Sequence, residues 1–404
     1  MLLRLAIRNV TRSRSRSALT IAALFFGVTM SLVLSAFVMG VGESLVSEAI
    51  ESRVGAIQVH RTGYFEKRDR QPLTFNLPQS QAFEKKLLAV PHVRAVSPRI
   101  TFSGMLTNGS RGTIAVVTAI DARSVDAVLP RLDLYLVGKK LTEDDRNGAQ
   151  VGVELSRALD LKEGVPLMLS AQGLGGRDNA MDLEPRGTLN GQSPLESKRN
   201  ATVPLAFAQS LLGMEGLVTE YVVAVDDPSK LDAAASGLRE ALGDEFEVDT
   251  WEMLRPGLRD ARLIQRAILG GVSFIFLIIA LFGVANTLLM SVMERTKEIG
   301  TLMAVGMTRA NVALMFMLEA LVQAVFGSVI GLVIALIVVQ FARSGGGFAI
   351  PMGNAGGYLR VIPTLLPIVP IIVVTSACLG SMLAAFSPAL RASRLRPVEA
   401  LSST

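Results

Sequence analysis

The sequence predicts an integral membrane α-helical protein with four transmembrane helices and a large α+β extracytoplasmic domain inserted between helices one and two. Half of the residues are hydrophobic and only 19% are charged, whereas soluble proteins average about 25%. A bilayer core requires roughly 20 apolar residues, and four almost uncharged stretches meet that length: residues 17–42, 267–293, 320–342 and 361–390. These observations exclude a soluble enzyme, a nucleic-acid-binding domain and a secreted disulfide scaffold as descriptions of the whole chain.

The distribution of charge predicts which side of the membrane each part occupies. Residues 1–18 hold five arginines and no acid, and Arg391, Arg394 and Arg396 follow the fourth apolar stretch. Cytoplasmic flanks of membrane helices carry an excess of lysine and arginine, so both termini are expected in the cytoplasm. Residues 43–265 then lie outside, with 26 Lys/Arg against 31 Asp/Glu. The basic termini are therefore orientation signals, and no nucleic-acid partner is expected.

These signals divide the chain into nine segments. The first apolar run has 26 residues, longer than the 7–15 residues typical of a signal peptide, so we expect it to be a retained anchor. The expected order is a basic amphipathic cytoplasmic N-terminus (1–18), transmembrane helix 1 (19–42), a periplasmic α+β domain (43–265), transmembrane helix 2 (266–293), a cytoplasmic coupling helix (294–311), transmembrane helix 3 (312–342), a periplasmic loop (343–362), transmembrane helix 4 (363–387) and a cytoplasmic tail (388–404).

The outer segment alternates strand-like and helix-like patterns. Helical spacing of apolar residues predicts helices at 80–90 and 229–242. A turn at Asn108-Gly109 separates two of the strands. Alternation predicts strands at 56–60, 93–106, 113–120, 221–225 and 246–250. Because the two strand–helix–strand units are far apart in sequence, we expect one lobe from about 50–120 and 215–255, with a second lobe inserted at about 121–214.

Few residues suggest chemistry of their own. The one cysteine, Cys378, lies in the fourth apolar stretch, so the outer domain folds without disulfides. His60 and His92 stand alone, with no spacing that indicates a metal site. The sequence contains no Gly-Lys-Ser/Thr phosphate loop. We therefore expect no catalytic residue, no metal and no directly bound cofactor, with ATP and Mg bound by another chain.

Four motifs carry a resemblance to a known family. The most specific are residues 294–307 (ERTKEIGTLMAVGM) after the second apolar stretch and residues 387–401 (SPALRASRLRPVEAL) near the end. Residues 54–60 (VGAIQVH) and 152–164 (GVELSRALDLKEG) add to them. With these motifs the whole chain resembles the MacB/FtsX-like superfamily of ABC transporter permeases, nearest the lipoprotein-releasing (LolC/LolE-type) branch. It departs at Val165-Pro166, where relatives often continue Gly-Asp.

The resemblance implies a function and a set of partners. The partners would be a cytoplasmic ABC ATPase dimer, a second permease copy or paralogue, a lipoprotein substrate with its periplasmic carrier, and membrane lipid. The location would be the bacterial inner membrane. ATP-driven motion of the outer domain would extract lipoproteins from that membrane. Two alternatives are an FtsX-like signalling permease that activates a cell-wall hydrolase, and MacB-like efflux of peptides or drugs.

The resemblance also implies that residues 294–307 form the helix that couples to the ATPase. Its apolar side is expected to enter a groove on that ATPase, and the alternative is an amphipathic loop helix resting on the membrane surface. The apolar side comprises Ile299, Leu302, Met303 and Met307; the charged side comprises Glu294, Arg295, Lys297 and Glu298; Gly300, Ala304 and Gly306 complete the segment. On this interpretation an acid at Met303 uncouples the complex.

Glu319 is the only carboxylate in the four predicted transmembrane helices. An acid inside a membrane indicates function by default. Its place near the cytoplasmic end favours a structural ion pair with Arg309 or with a basic terminus over a proton relay.

Small residues predict where helices pack closely. One stripe is Gly27, Ser31 and Ser35, and a second is the pair Gly327 and Gly331. The alternative is packing within one chain, but four helices are few for a transporter, and the family pairs helices one and two of neighbouring permeases. We therefore expect the first stripe at that seam. A cavity for lipid anchors would lie beside it, lined by Phe37, Met39, Ile268 and Phe274.

Overall fold

The computed structural model of the chain describes residues 2–12, 14–67, 72–161, 166–189, 197–352 and 357–394. These residues form two compact units. The membrane unit comprises Met1–Ser44, Ala261–Phe348 and Arg360–Thr404. The inserted domain comprises Leu45–Asp260 and Ala349–Leu359.

Long helices make up the membrane unit. Among the described residues, four helices are long and apolar enough to cross a membrane, which confirms the predicted number. Thr308 caps one of them, because its hydroxyl accepts a hydrogen bond from the Asn311 N–H. The helices are α1 (Leu2–Arg12), α2 (Arg14–Ala49), α10 (Pro256–Glu294), α11 (Thr296–Ala304), α12 (Arg309–Ser344) and α13 (Ile368–Ser393).

One apolar core joins α10, α11, α12 and α13. Its largest fully buried side chain is Phe316 on α12. Leu24 enters it from α2, and Val284 and Leu288 enter it from α10. Small alanines on α13 let the helices approach, since a short side chain brings two backbones together. The short helix α11 is therefore part of this packed body and not a free loop.

The inserted domain is an α+β structure, as predicted. Its helices are α3 (Tyr64–Lys67), α4 (Gln81–Leu88), α5 (Val125–Val128), α6 (Val153–Ala158), α7 (Leu205–Leu212), α8 (Leu231–Leu242) and α9 (Trp251–Leu254). Its strands are β1 (Ile57–Arg61), β2 (Leu77–Pro78), β3 (Val93–Thr107), β4 (Gly112–Ile120), β5 (Leu136–Gly138), β6 (Gly148–Gly152), β7 (Leu167–Gln172), β8 (Asp178–Leu189), β9 (Asn200–Pro204), β10 (Leu217–Val218), β11 (Glu220–Val225) and β12 (Phe246–Thr250). A final hairpin pairs β13 (Phe348–Met352) with β14 (Gly357–Val361).

A ten-stranded mixed sheet organises the domain. Its strands run in the order β12-β1-β11-β3-β4-β9-β6-β8-β5, with β7 paired to β3 and β8. The predicted turn joins β3 to β4, where the Asn108 side chain accepts hydrogen bonds from the N–H groups of Ser110 and Arg111. Parallel pairing of β9 with β4 carries the sheet from one predicted lobe into the other. The lobes therefore share one sheet, while their residue limits stay a prediction.

The two faces of this sheet differ. Residues such as Ile57, Ile100, Val117 and Tyr221 point to one face and are buried in the main core of the domain, together with α4, α7 and α8. Strand residues alternate between faces, so their neighbours lie on the other face, which is polar where β1, β3 and β11 meet.

Candidate functional site

The connection between α10 and α12 presents two faces. Ile299 is 1% exposed, and Met303 and Met307 pack against the same apolar core of the membrane unit. Ile299 and Met303 are four positions apart and therefore share one face of α11 (Thr296–Ala304), whereas Met307 follows the end of that helix. Met303 accordingly lies on the inward face, which corrects the expectation that it faces an ATPase. The stripe is apolar because it packs against the chain's own membrane helices.

The residues exposed on the outward face of this segment differ from the stripe that was expected to face the ATPase. Val305 is 85% exposed and Leu302 is 37% exposed. Lys297 and Ala304 are exposed as well, and Gly300 is buried. The exposed apolar surface of this segment, Leu302 with Val305, we call the α11 patch.

Gly306 sets the end of this segment. Its φ of 108° lies in the region that favours glycine. The turn ends α11, and α12 begins three residues later at Arg309. Only Gly300 and Gly306 of the predicted coupling residues are glycines, and Gly306 alone adopts a positive φ.

Arg295 connects this segment to the membrane helices. Its Nε donates to Glu298 Oε2 at 3.0 Å, and its Nη2 donates to Asn9 Oδ1 at 2.8 Å. Its Nη1 lies 3.7 Å from Glu319 Oε2. Asn9 Nδ2 also donates to Glu319 Oε2, at 3.4 Å. One guanidinium thus contacts α1, α11 and α12 at once.

Glu319 therefore contacts Arg295 and Asn9, and its role as a structural ion pair stays a prediction. Its side chain is 2% exposed, so its charge is compensated inside the packed helices. Arg309 lies ten residues earlier on the same helix, which places it roughly 15 Å away along the axis. Arg295 reaches Glu319 because α11 packs beside α12. The N-terminal helix α1 contacts Glu319 through the amide of Asn9 and not through one of its arginines.

Two further ion pairs tie the N-terminal helices to the same segment. Arg12 Nη2 lies 2.8 Å from Glu298 Oε1, and Arg16 pairs with Glu294. The hydrogen bond from Arg295, with the charges of Arg295 and Arg12, lowers the pKa of the Glu298 carboxyl. Exposed pairs of this kind contribute about 0–1 kcal/mol each. These two ion pairs therefore add little to stability, but they place the N-terminal helices next to residues 294–298.

The small-residue stripe of α2 faces the interior of its own chain. A Cβ on Gly27 would lie 3.1 Å from the Ala280 Cβ of α10. Ser31 and Ser35 are 3% and 5% exposed. Close packing within one chain therefore accounts for these three residues, and their assignment to a seam with a second permease is corrected. The spacing of small residues predicts that another helix packs closely against α2, but it does not identify which helix.

The second small-residue pair is also used within the chain. A Cβ on Gly331 would lie 3.0 Å from the Phe25 carbonyl oxygen, and one on Gly327 would lie 2.7 Å from the Leu24 Cβ. The α2 helix is thus packed between α10 and α12.

The residues expected to line a lipid-anchor cavity fall on different surfaces. Phe37 is half-buried against Phe348, with ring centroids 5.9 Å apart. Met39 is also half-buried. Ile268 and Phe274 are 59% and 61% exposed on α10. Their contact with lipid or a second permease stays a prediction.

A buried charged cluster in the inserted domain was missed by sequence reasoning. His60 on β1 is fully buried, with Nε2 3.0 Å from Glu220 Oε2 and Nδ1 3.5 Å from Asp249 Oδ2. Arg99 Nε donates to the other oxygen of Glu220 at 2.5 Å, and the Thr101 hydroxyl donates to that oxygen at 2.7 Å. These residues lie on β1, β3, β11 and β12, which are distant in sequence, so only the strand register brings them together.

Burial and the neighbouring charges in this cluster shift the pKa values of His60 and Glu220. Burial opposes protonation of His60, but the neighbouring carboxylates of Asp249 and Glu220 prevail and raise its pKa. Burial also disfavours the charged form of Glu220, yet Arg99 and His60 hold the pKa of that carboxyl well below its usual range. The cluster buries an imidazole and a guanidinium against the carboxylate of Glu220, with the carboxylate of Asp249 beside the imidazole.

Stability of the inserted domain should therefore fall as pH rises from 6 to 9. A raised folded-state pKa gives a contribution that is complete below the unfolded-state value, about 6.5, and is lost as pH passes the folded value. Glu220 has a depressed pKa, so its contribution is lost only in acid. Urea unfolding of the full chain, followed by Trp251 fluorescence, measures this. His60→Gln should remove most of the slope, and an unchanged slope in that variant would exclude His60 as its source.

Part of the predicted motif region lies outside the described residues: 162–165, which include Val165 of the departure from the family pattern, and 395–404 of the tail. Among the residues that the structure describes, no group of His, Cys, Asp and Glu is arranged to hold a metal ion.

Two family models match the chain. The MacB-like periplasmic core domain matches residues 17–241, and the FtsX-like permease C-terminal domain matches residues 270–397. The first of these covers more than half of the chain. The second match begins inside α10 (Pro256–Glu294), and the two matches together include parts of both compact units.

The chain is also similar to named relatives and to a solved structure. The macrolide export ATP-binding/permease protein MacB of Shewanella oneidensis is 24% identical over 99% of this chain, which spans 60% of that relative. An uncharacterised ABC transporter permease of Methanocaldococcus jannaschii is 22% identical, over 98% of this chain and 96% of the relative. The periplasmic region of MacB from Actinobacillus actinomycetemcomitans matches 53% of this chain and 95% of its own length, with 14% identity and a TM-score of 0.36.

The two family models assign the chain to a family. The four apolar helices and the inserted α+β domain of the described residues are consistent with that assignment. The chain belongs to the MacB/FtsX-like family of ABC transporter permeases.

Proposed function

We propose that this chain is the membrane subunit of an ABC complex in a bacterial inner membrane, with both termini in the cytoplasm. A separate cytoplasmic ATPase dimer would bind ATP and Mg, and a second permease, identical or paralogous, would complete the membrane part. The observation that carries this proposal is the α11 patch. This patch is an exposed apolar surface. The same segment is anchored to the membrane unit, because Ile299 packs into its core and Arg295 contacts Glu298 and Glu319.

The helical connections support a mechanical role. The chain leaves the membrane unit for the inserted domain within α2 (Arg14–Ala49) and returns within α10 (Pro256–Glu294). Both connections are continuous helices, which transmit displacement better than flexible linkers do. Because α10 ends at Glu294, directly before α11, a push on the α11 patch acts on the helix that leads to the inserted domain.

For the cargo we propose an outer-membrane lipoprotein that is passed to a periplasmic carrier. The apolar stretches contain one neighbouring carboxylate and few amide side chains, namely Asn286, Gln323 and Gln340, whereas a polar conduit needs rings of hydrogen-bonding or charged groups. Lipid chains gain about 0.8 kcal/mol per buried CH₂, which suits the exposed apolar face of α10 that carries Ile268 and Phe274. The chain would then extract an anchor without passing the protein through a channel.

MacB-like efflux of peptides or drugs is the second candidate, because the periplasmic core model of that family matches residues 17–241. FtsX-like signalling is the third, because the C-terminal model of that family matches residues 270–397. The protein that co-purifies distinguishes the three: a lipoprotein carrier, an outer-membrane duct protein or an activator of a cell-wall hydrolase.

Photo-crosslinking tests the proposed cargo. Crosslinkers at Phe37 and Phe274, in the complex purified from native membranes, should capture a lipoprotein before ATP is added and lose it afterwards. Mass spectrometry identifies the captured protein. Crosslinkers at Met290 and Leu314, near the opposite end of the helices, are the matched controls. Capture from those positions instead would indicate passage across the membrane and contradict the extraction mechanism.

A further inference from the structure

A groove opens between α10 and α13 in the membrane unit. Its volume is about 550 Å³, and ligand sites typically measure about 300–1,000 Å³. Its described lining comes from residues 282–289 of α10 and residues 387–391 of α13. Both ranges belong to the membrane unit, so the groove is formed by helices that are long and apolar enough to lie in a bilayer.

The packing of the two helices explains where the groove lies. Earlier along both helices they touch, because a Cβ on Gly380 would lie 2.7 Å from the Leu281 Cδ1 atom. Further along, the lining includes small residues such as Gly283 and Ser387. Pro388 lies inside α13 and has no N–H to donate to the preceding turn. Small side chains beside an interrupted helical turn therefore leave space between the two helices.

The surface that leads to the groove along both helices is apolar and exposed. It carries Ile279 and Phe282 on α10, and Leu383 and Phe386 on α13. Residues that point the other way, such as Leu288, are buried in the core of the membrane unit. The groove therefore faces the surroundings of the unit. Exposed apolar side chains are stable against hydrocarbon and not against water, so this surface suits lipid chains.

The lining of the groove also carries polar groups and one charge. Asn286, Ser387 and Arg391 are exposed there, and Arg391 lies in the last turn of α13. None of the described lining residues is acidic, and among the described residues none forms an ion pair with Arg391. A guanidinium binds phosphate oxygens through paired N–H donors, and amide and hydroxyl groups add further hydrogen bonds. These groups suit a phosphodiester.

We propose that this groove binds an anionic phospholipid, with its phosphate at Arg391 and its acyl chains along the exposed apolar surface of α10 and α13. Charge complementarity selects this occupant, because the head group has a net negative charge and the described lining has a net positive one. Basic pockets between membrane helices bind acidic lipid head groups in the same way. The site is independent of the cargo and of the ATPase contact proposed above.

Native mass spectrometry of the full-length chain tests this proposal. The chain, freed of lipid in a non-ionic detergent, is mixed with equal amounts of phosphatidylglycerol and phosphatidylcholine that carry the same acyl chains. The two lipids then differ only in their head groups, and only the first has a net charge. Phosphatidylglycerol should bind with about fivefold higher affinity, which is the contribution of one arginine near an acidic lipid. The same spectra show whether the chain is a monomer or a dimer.

Three variants locate the binding. Arg391→Gln removes the charge of the lining and should abolish the preference for phosphatidylglycerol. Ser387→Phe, at an exposed position of the lining, should occupy the groove and weaken the binding of both lipids. The matched control is Arg394→Gln, because Arg394 is also exposed, lies three residues later and is outside the described lining. It should leave the preference unchanged. Circular dichroism should show the same helix content in all variants.

Equal affinity of the parent chain for the two lipids would overturn the proposal. A preference that survives Arg391→Gln, or that Arg394→Gln reduces equally, would indicate general attraction to a basic helix end and overturn the site. A dimer that dissociates in Ser387→Phe while lipid binding persists would identify a second copy as the occupant. Displacement of the lipid by an equal concentration of glycerol 3-phosphate would identify a soluble phosphate instead. None of these results bears on the α11 patch, which is measured by ATPase stimulation.

Discussion

Replacement of Val305 by aspartate should abolish stimulation of the partner ATPase while the chain remains folded and inserted. Val305 is 85% exposed and supports no packing within its own chain, so a charge there is solvated in the isolated permease. In the complex the same charge would be buried against the ATPase without a partner. Such burial costs several kcal/mol, which is a loss of about 1,000-fold in affinity. ATPase turnover with and without the permease measures it.

Two substitutions in the same segment serve as controls. Lys297→Gln removes an exposed charge and should change ATPase stimulation by no more than about 0.5–1 kcal/mol in binding. Met303→Asp buries a charge against the chain's own core and should reduce the yield of folded protein. If Val305→Asp still binds and stimulates the ATPase as the parent chain does, the α11 patch is not the coupling surface.

Arg295→Met should destabilise the membrane unit more than any other substitution of an exposed or half-buried charge in it. The change leaves Glu319 buried, 2% exposed, in contact with the Asn9 amide. Removal of one partner from a buried pair costs about 3–5 kcal/mol. Unfolding can be followed through the single cysteine, Cys378, which lies on α13 and reacts with a maleimide dye as the helices separate.

The rescue variant distinguishes a charge effect from a packing effect. Arg295→Met combined with Glu319→Gln removes both charges and should recover most of the lost stability, as a double-mutant cycle measures. Arg309→Gln is the matched control and should have little effect. If Arg309→Gln destabilises the unit as much as Arg295→Met does, the assigned partner of Glu319 is wrong.

Hydropathy and residue alternation predicted the overall architecture because each can be read from a short stretch of sequence by itself. The membrane spans required only long apolar runs such as residues 267–293, and the β3–β4 hairpin required only alternation around Asn108-Gly109. Each is a local property. Neither depends on which other segment the residues contact.

Properties that depend on a partner were not predictable in the same way. An apolar stripe such as Ile299 and Met303 shows that one face of α11 is covered, but it does not show what covers it; here the cover is the chain's own helices. The stripe of Gly27, Ser31 and Ser35 likewise signals close approach, and α10 proved to be the neighbour of Gly27. The contact between Arg295 and Glu319 depends on how α11 packs beside α12.

The buried cluster of His60 shows the same limit in the inserted domain. His60 and Glu220 are separated by 160 residues, and the histidine looks isolated in the sequence. Only the antiparallel pairing of β1 with β11 and β12 makes it a neighbour of two carboxylates. The one local signal of such a cluster is a polar residue, here His60, within a strand whose neighbouring residues are buried.

The central claim is that the α11 patch contacts the ATPase, and site-specific photo-crosslinking of the assembled complex tests it most directly. A crosslinker at Val305 should capture the ATPase, and the same crosslinker at Met303, which packs against the membrane helices, should capture only the chain itself. Capture of the ATPase from Met303 and not from Val305 would contradict the orientation of α11 described here and the coupling mechanism that depends on it.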